Sequence, residues 1–174
     1  MANILTFSLQ SLTIAANNLD GTFGTAAAFF SAKTLTATKK FVSDKAYGNS
    51  KITGLAAQAI SYDLSIDSAG FDDAVLNVLL GLSSSSSGSG TNTDEANELS
   101  QYFGLIAQTY PDAGDYLLFF PRCKITGDFG YKIDFGKFST PTIKAEAIVD
   151  DTLTYVLRRR RRSVIGAITF PLSA

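Results

Sequence analysis

The sequence predicts a mainly β protein, an antiparallel β-sandwich or barrel with one flanking α-helix. Two observations support this fold class. Apolar and polar residues alternate along several segments, which is the period of a strand with one buried and one wet face. A single segment, 69–80, instead carries apolar residues at helical spacing. The 174 residues are best read as one domain, 1–174, that is long enough to bury a core without disulfides or metal.

Composition excludes several function classes. The sequence contains no histidine and a single cysteine, Cys123, so Ser-His-Asp and Cys-His catalysis, a Cys/His zinc site and an intrachain disulfide cannot be built. Acidic residues are common enough for some carboxylate pair to meet, but no pattern selects one. We therefore predict no enzyme, no cofactor and no metal. The formal net charge of -1 is far from that of a general nucleic-acid binder.

The N-terminal half begins with a predicted strand in which Leu5, Phe7 and Leu9 alternate with polar residues. Residues 31–42 alternate only in part, so they fit either an extended arm or an edge strand. After a turn predicted at 45–54, the next strand is clear. Its apolar side is Gln58, Ile60, Tyr62, Leu64 and Ile66, and its other side is Ala59, Ser61, Asp63, Ser65 and Asp67.

The one predicted helix covers 69–80, with Ser68 as its N-cap and Gly81 at its C-terminal cap. Its apolar stripe consists of Phe71, Val75, Val78, Leu79 and Leu82, and we expect the helix to pack across a sheet. The Ser-rich segment that follows, 83–100, reads as a long polar loop, either solvated or ordered against a neighbouring subunit.

The C-terminal half carries the strongest strand signal. The turn residues Pro111 to Gly114 lie between two apolar runs and predict a hairpin that pairs 103–109 with 116–125. Residues 117–120 are apolar without interruption, which indicates burial on both sides or burial by association. Residues 131–135 alternate as another strand. A further predicted strand has Ile143, Ala145, Ala147 and Val149 on one side and Thr142, Lys144 and Glu146 on the other.

From about Tyr102 to Asp151, this order of elements, with the stretch KITGDFGYKIDFGKFSTPTIKAEAIVDD, resembles the major tail tube proteins of long-tailed bacteriophages. The resemblance implies a β-sandwich with one helix, whose subunits form stacked hexameric rings and lend strands to a shared inner β-barrel. It implies that double-stranded DNA passes through the lumen without specific binding. It also implies tail terminator, tape measure and distal tail proteins as partners, and a place in the virion tail after assembly in the host cytoplasm.

A lumen of this kind needs a wet inner face that does not hold phosphate. The polar sides of the two clearest strands are therefore our candidates for lumen lining, although ordinary solvent-facing residues would show the same pattern. The candidates are Ser61, Asp63, Ser65, Asp67, Thr142, Lys144 and Glu146. The N-terminus lacks the pattern of a signal peptide, and no apolar run is long enough for a membrane anchor.

A run of five arginines is the most conspicuous local charge in the chain. It follows a predicted strand through Leu153, Tyr155 and Leu157, and we expect that strand to leave the core at the first arginine, with a basic turn and a C-terminal strand or arm over 158–174. Three uses remain open: contact with acidic groups of an adjacent subunit, a solvated turn, and phosphate contact. The candidate subunit interface is Arg158, Arg159, Arg160, Arg161 and Arg162 with Asp94, Glu95 and Glu98, or with Asp150 and Asp151.

Two other functions remain open from sequence. Another phage structural protein, such as a capsid decoration or tail-end protein, would use similar β patterns without a stacked tube. A basic-patch nucleic-acid-binding module would use the arginine run to hold phosphate, and its DNA binding would depend on those five side chains.

Overall fold

The protein folds as an antiparallel sheet with one short helix, as the sequence predicts. The computed structural model describes residues 4–6, 9–48, 51–70, 73–81, 101–110, 116–127, 142–161 and 170, with the backbone alone described at 4–6, 42–48, 51–60 and 73. The elements in chain order are β1 Ile4–Thr6, β2 Leu9–Ala16, β3 Ala27–Ala28, β4 Ala32–Gly48, β5 Lys51–Ser68, α1 Asp73–Leu80, β6 Phe103–Thr109, β7 Tyr116–Ile125, β8 Thr142–Ile148 and β9 Arg158–Arg161.

All nine strands of the described residues belong to one sheet, in the order β1-β4-β5-β8-β7-β6-β2-β3. The strand β9 pairs with the same edge of β7 as β8 does, but with the N-terminal part of β7, Tyr116–Phe119, whereas β8 pairs with Arg122–Ile125. The sheet curls, since β4 and β2 contact each other although four strands lie between them in the sheet order. The concave side holds the larger core cluster, and α1 closes it by packing against β2 and β3.

The hairpin predicted at 103–109 and 116–125 is confirmed at both ends, as β6 and β7. Leu117, Leu118, Phe119 and Phe120 are all buried, which confirms burial on both sides of β7. Leu118 and Phe120 enter the larger core cluster, while Leu117 and Phe119 form a second cluster with Ile106 on the other face. The continuous apolar run is therefore explained by two cores, one on each side of a central strand.

The second cluster is covered by aromatic side chains from distant parts of the chain. Phe23, Leu153, Tyr155 and Phe170 pack against it, and the ring of Phe119 lies 5.8 Å from both Phe23 and Phe170. A Cβ at Gly104 would lie 2.5 Å from a ring carbon of Phe23, so this position of β6 has room for no side chain. Of the predicted last strand or arm at 164–170, only Phe170 lies among the described residues.

The helix α1 buries Val75 and Leu79 completely, in agreement with the predicted stripe, and ends at Gly81 in the left-handed region with φ 75°. The prediction of Ser68 as N-cap is wrong. Ser68 is the last residue of β5, five positions before the helix begins, and its buried hydroxyl accepts from the amide of Gly70 at 3.2 Å and bonds the hydroxyl of Ser31. A strand that continues to Ser68 keeps this side chain away from the helix.

Of the segment 31–42, residues 32–42 are strand rather than a loose arm, since they belong to β4, which pairs with β5 along its whole length, and Ser31 lies in the turn before it. The predicted turn at 45–54 is shorter than expected because strand structure continues to Gly48 and resumes at Lys51. The strand predicted at 131–135 and the loop 83–100 lie outside the described residues.

Two predictions near the end of β8 are wrong. Val149 does not extend the buried row of β8, because the strand ends at Ile148 and Val149 is 43% exposed. Leu153, Tyr155 and Leu157 do not form a strand that ends at the arginines. Residues 151–153 form a turn, and strand structure begins at Arg158 instead of ending there.

Candidate assembly surfaces

The candidate lumen-lining residues lie together on one face of β5 and β8. The two strands pair in register with Asp67 opposite Thr142, Ser65 opposite Lys144 and Asp63 opposite Glu146. Their apolar neighbours Leu64, Ile66, Ile143 and Ala145 point the other way and are buried. The alternation in sequence therefore locates this polar face correctly, while its use as a lumen stays a prediction.

The strand β4 extends the polar face by a third row that sequence reasoning missed. Thr34, Thr36, Thr38 and Lys40 lie beside Asp67, Ser65, Asp63 and Ser61 in the pairing of β4 with β5. The signal was present in sequence as threonine at every second position over 34–38. We use the name polar face for these eleven residues of β4, β5 and β8.

Hydrogen bonds and ion pairs tie the polar face across its three strands. The carboxylate of Asp67 accepts from the hydroxyl of Thr142 at 2.7 Å and from that of Thr34 at 2.8 Å, and these bonds lower the pKa of Asp67. The ammonium group of Lys40 lies 2.7 Å from Asp63 and 3.7 Å from Glu146. Ser61 is 4% exposed, and its hydroxyl donates to the carboxylate of Glu146 at 2.6 Å, so this buried side chain links β5 to β8.

The polar face is close to electrical neutrality. It carries three carboxylates, Asp63, Asp67 and Glu146, and two ammonium groups, Lys40 and Lys144. Thr36, Thr38, Ser65 and Lys144 line an open groove along its middle. Because Lys40 lies beside two carboxylates and the face carries one more carboxylate than ammonium groups, this surface offers phosphate little net attraction.

The paired strands β4 and β5 extend well beyond the rest of the sheet. Their last pair inside the sheet is Lys40 with Ser61, and β8 ends at the same level, where Ile148 pairs with Ser61. From Phe41 opposite Ala59 to Gly48 opposite Lys51, the two strands continue for eight further residues on β4. At about 3.4 Å per residue this is roughly 25 Å of two-stranded ribbon, which we call the hairpin arm.

Both outer edges of the hairpin arm lack a strand partner among the described residues. β1 pairs with β4 only at 36–38, and β8 pairs with β5 only at 61–67. The arm begins at a β-bulge, since Phe41 pairs with Ala59 and leaves Ile60 without an opposite residue. Because a bulge bends a strand and increases its twist, we expect the arm to change direction at this point.

The arginine run forms the strand β9 over Arg158–Arg161, paired antiparallel with Tyr116–Phe119 of β7. Arg159 and Arg161 are exposed, and Arg158 and Arg160 are half-buried. The guanidinium of Arg158 lies 4.4 Å from the ring centre of Tyr155. Burial raises the pKa of the Tyr155 hydroxyl, and the charge of Arg158 opposes that rise. We call Arg158–Arg161 the arginine edge; Arg162 lies outside the described residues.

The two acidic residues nearest in sequence to the arginine edge are engaged elsewhere in the chain. Asp150 is 2% exposed, and its carboxylate accepts from the amides of Thr152 and Leu153 at 3.0 and 2.8 Å and from the side chain of Asn17 at 3.0 Å. Asp151 pairs with Arg122 at 2.6 Å. The expectation that Asp150 meets a neighbour's arginine is therefore wrong, because its carboxylate organises the loop 149–157.

Asp94, Glu95 and Glu98, the other candidate partners of the arginines, lie outside the described residues. The part of the chain that the structure describes contains no cluster of metal-ligating side chains. It also contains no helix of the length and apolarity needed to cross a bilayer. A scan of the sequence against models of known protein families and a search of curated proteins both return no match.

Proposed function

We propose that this chain is a structural subunit of a bacteriophage tail tube, which forms stacked rings around a channel for double-stranded DNA. The observation that carries the proposal is the hairpin arm, a two-stranded ribbon whose outer edges have no strand partner among the described residues. Isolated two-stranded ribbons are marginal in water, and exposed edges invite further pairing. A neighbouring subunit that adds strands to these edges would stabilise the arm and close the sheets into a continuous wall.

The break in the sheet beside the arm supports assembly in the same way. β8 lies between β5 and β7, and β9 pairs with the same edge of β7 that β8 uses. In a flat sheet, the part of β5 that belongs to the arm would therefore lie next to β9. No pairing joins β5 to β9 among the described residues. An open groove lies at this place, lined by Lys39, Tyr62, Val156, Leu157 and Arg159. Two strand edges that are not joined within the described part of one subunit would accept strands from a second subunit.

The polar face supports the role of a conduit. It presents hydroxyl groups and nearly balanced charges over three strands, so it would wet a channel without holding phosphate. Its rigidity comes from the bonds that join Asp67, Lys40 and Glu146 to adjacent strands. The mechanism is geometric, with strands completed between subunits giving a stiff wall and a polar inner surface letting DNA slide.

Negative-stain electron microscopy of the purified protein over a range of concentrations tests this function. We expect rings and tubes from the unaltered chain. A variant in which 42–58 are replaced by Asn-Gly keeps the pair of Phe41 with Ala59 but removes the arm. It should fold, as judged by circular dichroism, and remain monomeric. A control with Ala56→Ser and Ala57→Ser keeps both backbone edges and should assemble.

Two results would contradict the proposal. One is an unaltered chain that stays monomeric at every concentration; the other is a shortened variant that still forms tubes. DNA retention distinguishes a tube subunit from a nucleic-acid-binding module, because tubes should retain no double-stranded DNA at physiological salt. Retention that disappears when all five arginines become glutamine would instead indicate a nucleic-acid-binding module.

A further inference from the structure

Phe30 is the most exposed large apolar side chain among the described residues. Its ring is 89% exposed, whereas the next most exposed, that of Phe41, is at 51%. Single apolar side chains are common on protein surfaces, so exposure alone carries no inference. What sets Phe30 apart is the backbone that presents its ring.

The turn that carries Phe30 is fixed on both sides. Phe29 is buried, and its carbonyl accepts from the amide of Ala32 at 3.2 Å, which closes the turn around Phe30. The carbonyl of Ser31 accepts from the amide of Ala69 at 2.8 Å, which ties the turn to the end of β5. A ring held out on a fixed turn loses little freedom when it binds, so it is suited to anchor a contact.

The groove beside β9, which we call the rim groove, has the chemistry of a site for an aromatic ring. It has a volume of about 430 Å³, within the range of roughly 300–1,000 Å³ that is typical of binding sites. Its apolar part lies at the rim of the larger core cluster, since Tyr62 belongs to that cluster and Val156 and Leu157 pack against it. Lys39 and Arg159 add two cations, and no acidic residue lines the groove.

The two cations of the rim groove are available to a ring. Within the described part of the chain, neither Lys39 nor Arg159 forms an ion pair. The ammonium group of Lys39 lies 5.0 Å from the ring centre of Phe41, so one aromatic ring already contacts a cation at this place. A second ring would cover the apolar part of the groove and present its negative face to the cations.

Phe30 and the rim groove lie apart in one copy. Phe30 comes two residues before β4 begins at Ala32, whereas Lys39 lies seven residues further along the same strand, roughly 24 Å away. The exposure of Phe30 shows directly that its ring does not occupy the groove of its own copy. A ring at one end of β4 and a groove further along it can meet only between two copies.

We propose that Phe30 of one copy inserts into the rim groove of a second copy, against Tyr62 and Leu157 and beneath Lys39 and Arg159. The contact rests on the proposed self-assembly and gives it a direction along β4. Side chains form this groove, so the contact differs from strand pairing at the backbone edges of the arm. Because the two surfaces are complementary but not identical, each copy can bind one neighbour through Phe30 and another through its groove.

Replacing the ring tests the contact. Phe30→Ser changes an exposed side chain, so the variant should keep its urea midpoint, while its self-association, measured by sedimentation velocity, should weaken roughly tenfold or more. Phe30→Tyr keeps an aromatic face and should associate like the unaltered chain. Tyr110→Ser removes another exposed ring, which directly follows β6, and should also associate normally.

A double-mutant cycle tests whether the ring and the groove meet. Arg159→Glu places a negative charge against the negative face of the ring, so it should weaken association by itself. If Phe30 lies beneath Arg159 of the next copy, the charge has no ring to act on in Phe30→Ser. The double variant should therefore lose little more than the weaker of the two single variants. Losses that multiply would overturn the proposed contact.

Photocrosslinking locates the contact without removing the ring. Benzoylphenylalanine at position 30 keeps an aromatic side chain and, on illumination, should attach to residues of the rim groove in a second copy, as identified by mass spectrometry of the crosslinked peptides. The same analogue at position 110 should not attach there. Crosslinks from position 30 that reach a second copy only elsewhere would overturn the proposal.

The outcomes separate this inference from the tube function. Tubes that form equally well from the unaltered chain and from Phe30→Ser would overturn the contact and leave the tube standing. Oligomers that depend on Phe30 but never form tubes would support the contact and contradict the tube. A chain that never self-associates overturns both.

Discussion

The strands β8 and β9 use the same edge of β7 and run in the same direction, yet they have almost nothing in common in sequence. β8 pairs Arg122 to Ile125 of β7, and β9 pairs Tyr116 to Phe119. β8 alternates buried Ile143, Ala145 and Ala147 with polar residues, whereas every residue of β9 is arginine. Strand structure in β8 agrees with its own pattern, and in β9 it depends on the strand beside it.

The two strands are one strand interrupted by a loop. Arg122 of β7 pairs with Ile148, and Phe119, three residues away on β7, pairs with Arg158. The segment opposite β7 therefore covers ten residues where β7 covers three. The extra residues fold outward around Asp150, whose main chain bonds Tyr155 and Thr154 and whose carboxylate bonds Thr152, Leu153 and Asn17. The difference shows that β7 can hold a strand of like charges in place once a buried anchor brings it to the edge.

Removing the packing beneath β9 should have the largest effect. Phe119 lies opposite Arg158 and is fully buried among Phe23, Tyr155 and Phe170. Phe119→Ala should lower the free energy of unfolding by about 4 kcal/mol, measured by urea denaturation, because it opens a cavity in the second cluster. Hydrogen exchange should accelerate at the amides of β9 more than at those of β8.

Phe120→Ala is the matched control for this comparison. Its ring is also fully buried, but it enters the larger cluster, 5.7 Å from the ring of Tyr62. We expect a similar loss of stability without selective loosening of β9. Equal exchange at β9 in the two variants would contradict the view that the second cluster holds the arginine edge.

Removing the anchor between the two strands should cost somewhat less. Asp150→Ala leaves the backbone amides of Thr152 and Leu153 without their acceptor and removes one of the two acceptors of the buried Asn17 amide, so we expect a loss of about 3 kcal/mol in the free energy of unfolding. Asp151→Ala removes a neighbouring carboxylate whose side chain is 86% exposed and should cost less than about 1 kcal/mol. Comparable losses in the two variants would mean that Asp150 does not anchor the loop.

Sequence reasoning located the elements that carry a local signal. The inner half of β5, β8 and the stripe of α1 repeat at two or at helical spacing, and burial follows that repeat. β6 and β7 were located as two apolar runs on either side of a turn, and both are mostly buried. The polar candidates on β5 and β8 were placed on one face for the same reason. Threonine at every second position over 34–38 was a signal for a row on β4 as well, but sequence reasoning missed it, since the pairing partner cannot be read from one strand alone.

The rest depends on contacts between residues far apart in the chain. Arg158–Arg161 has no period, and its strand structure comes from pairing with Tyr116–Phe119, some 40 residues away. Asp150 looked like one of two surface acids, and only its bond to Asn17, 133 residues distant, shows it to be buried. Ser68 has the sequence of an N-cap, but the bond to Ser31 keeps it in β5.

The smallest effect we expect is on the pH dependence of stability. The bond that links β8 to Asp67 should contribute to the free energy of unfolding in a way that varies with pH, whereas the contribution of β9 should not. Hydrogen bonds from Thr142 and Thr34 lower the pKa of Asp67, so its contribution to stability is fully present above the unfolded value of about 3.9 and is lost as pH falls through the folded value. Thr142→Ala removes the larger of the two bonds. Because this carboxylate is near solvent, the free energy of unfolding of the unaltered chain should exceed that of the variant by less than about 1 kcal/mol at pH 7.

That difference should shrink as pH falls below the unfolded value of about 3.9 and through the lowered folded pKa of Asp67, and urea midpoints between pH 2.5 and 7 measure it. Thr36→Ala, which changes a threonine of the same face beside Ser65 rather than beside a carboxylate, should show a difference that does not vary with pH. A gap for Thr142→Ala that is equal at pH 3 and pH 7 would exclude the hydrogen bond as its cause. Arginine stays charged throughout this range, so β9 should keep its charge while β8 loses part of its link to β5.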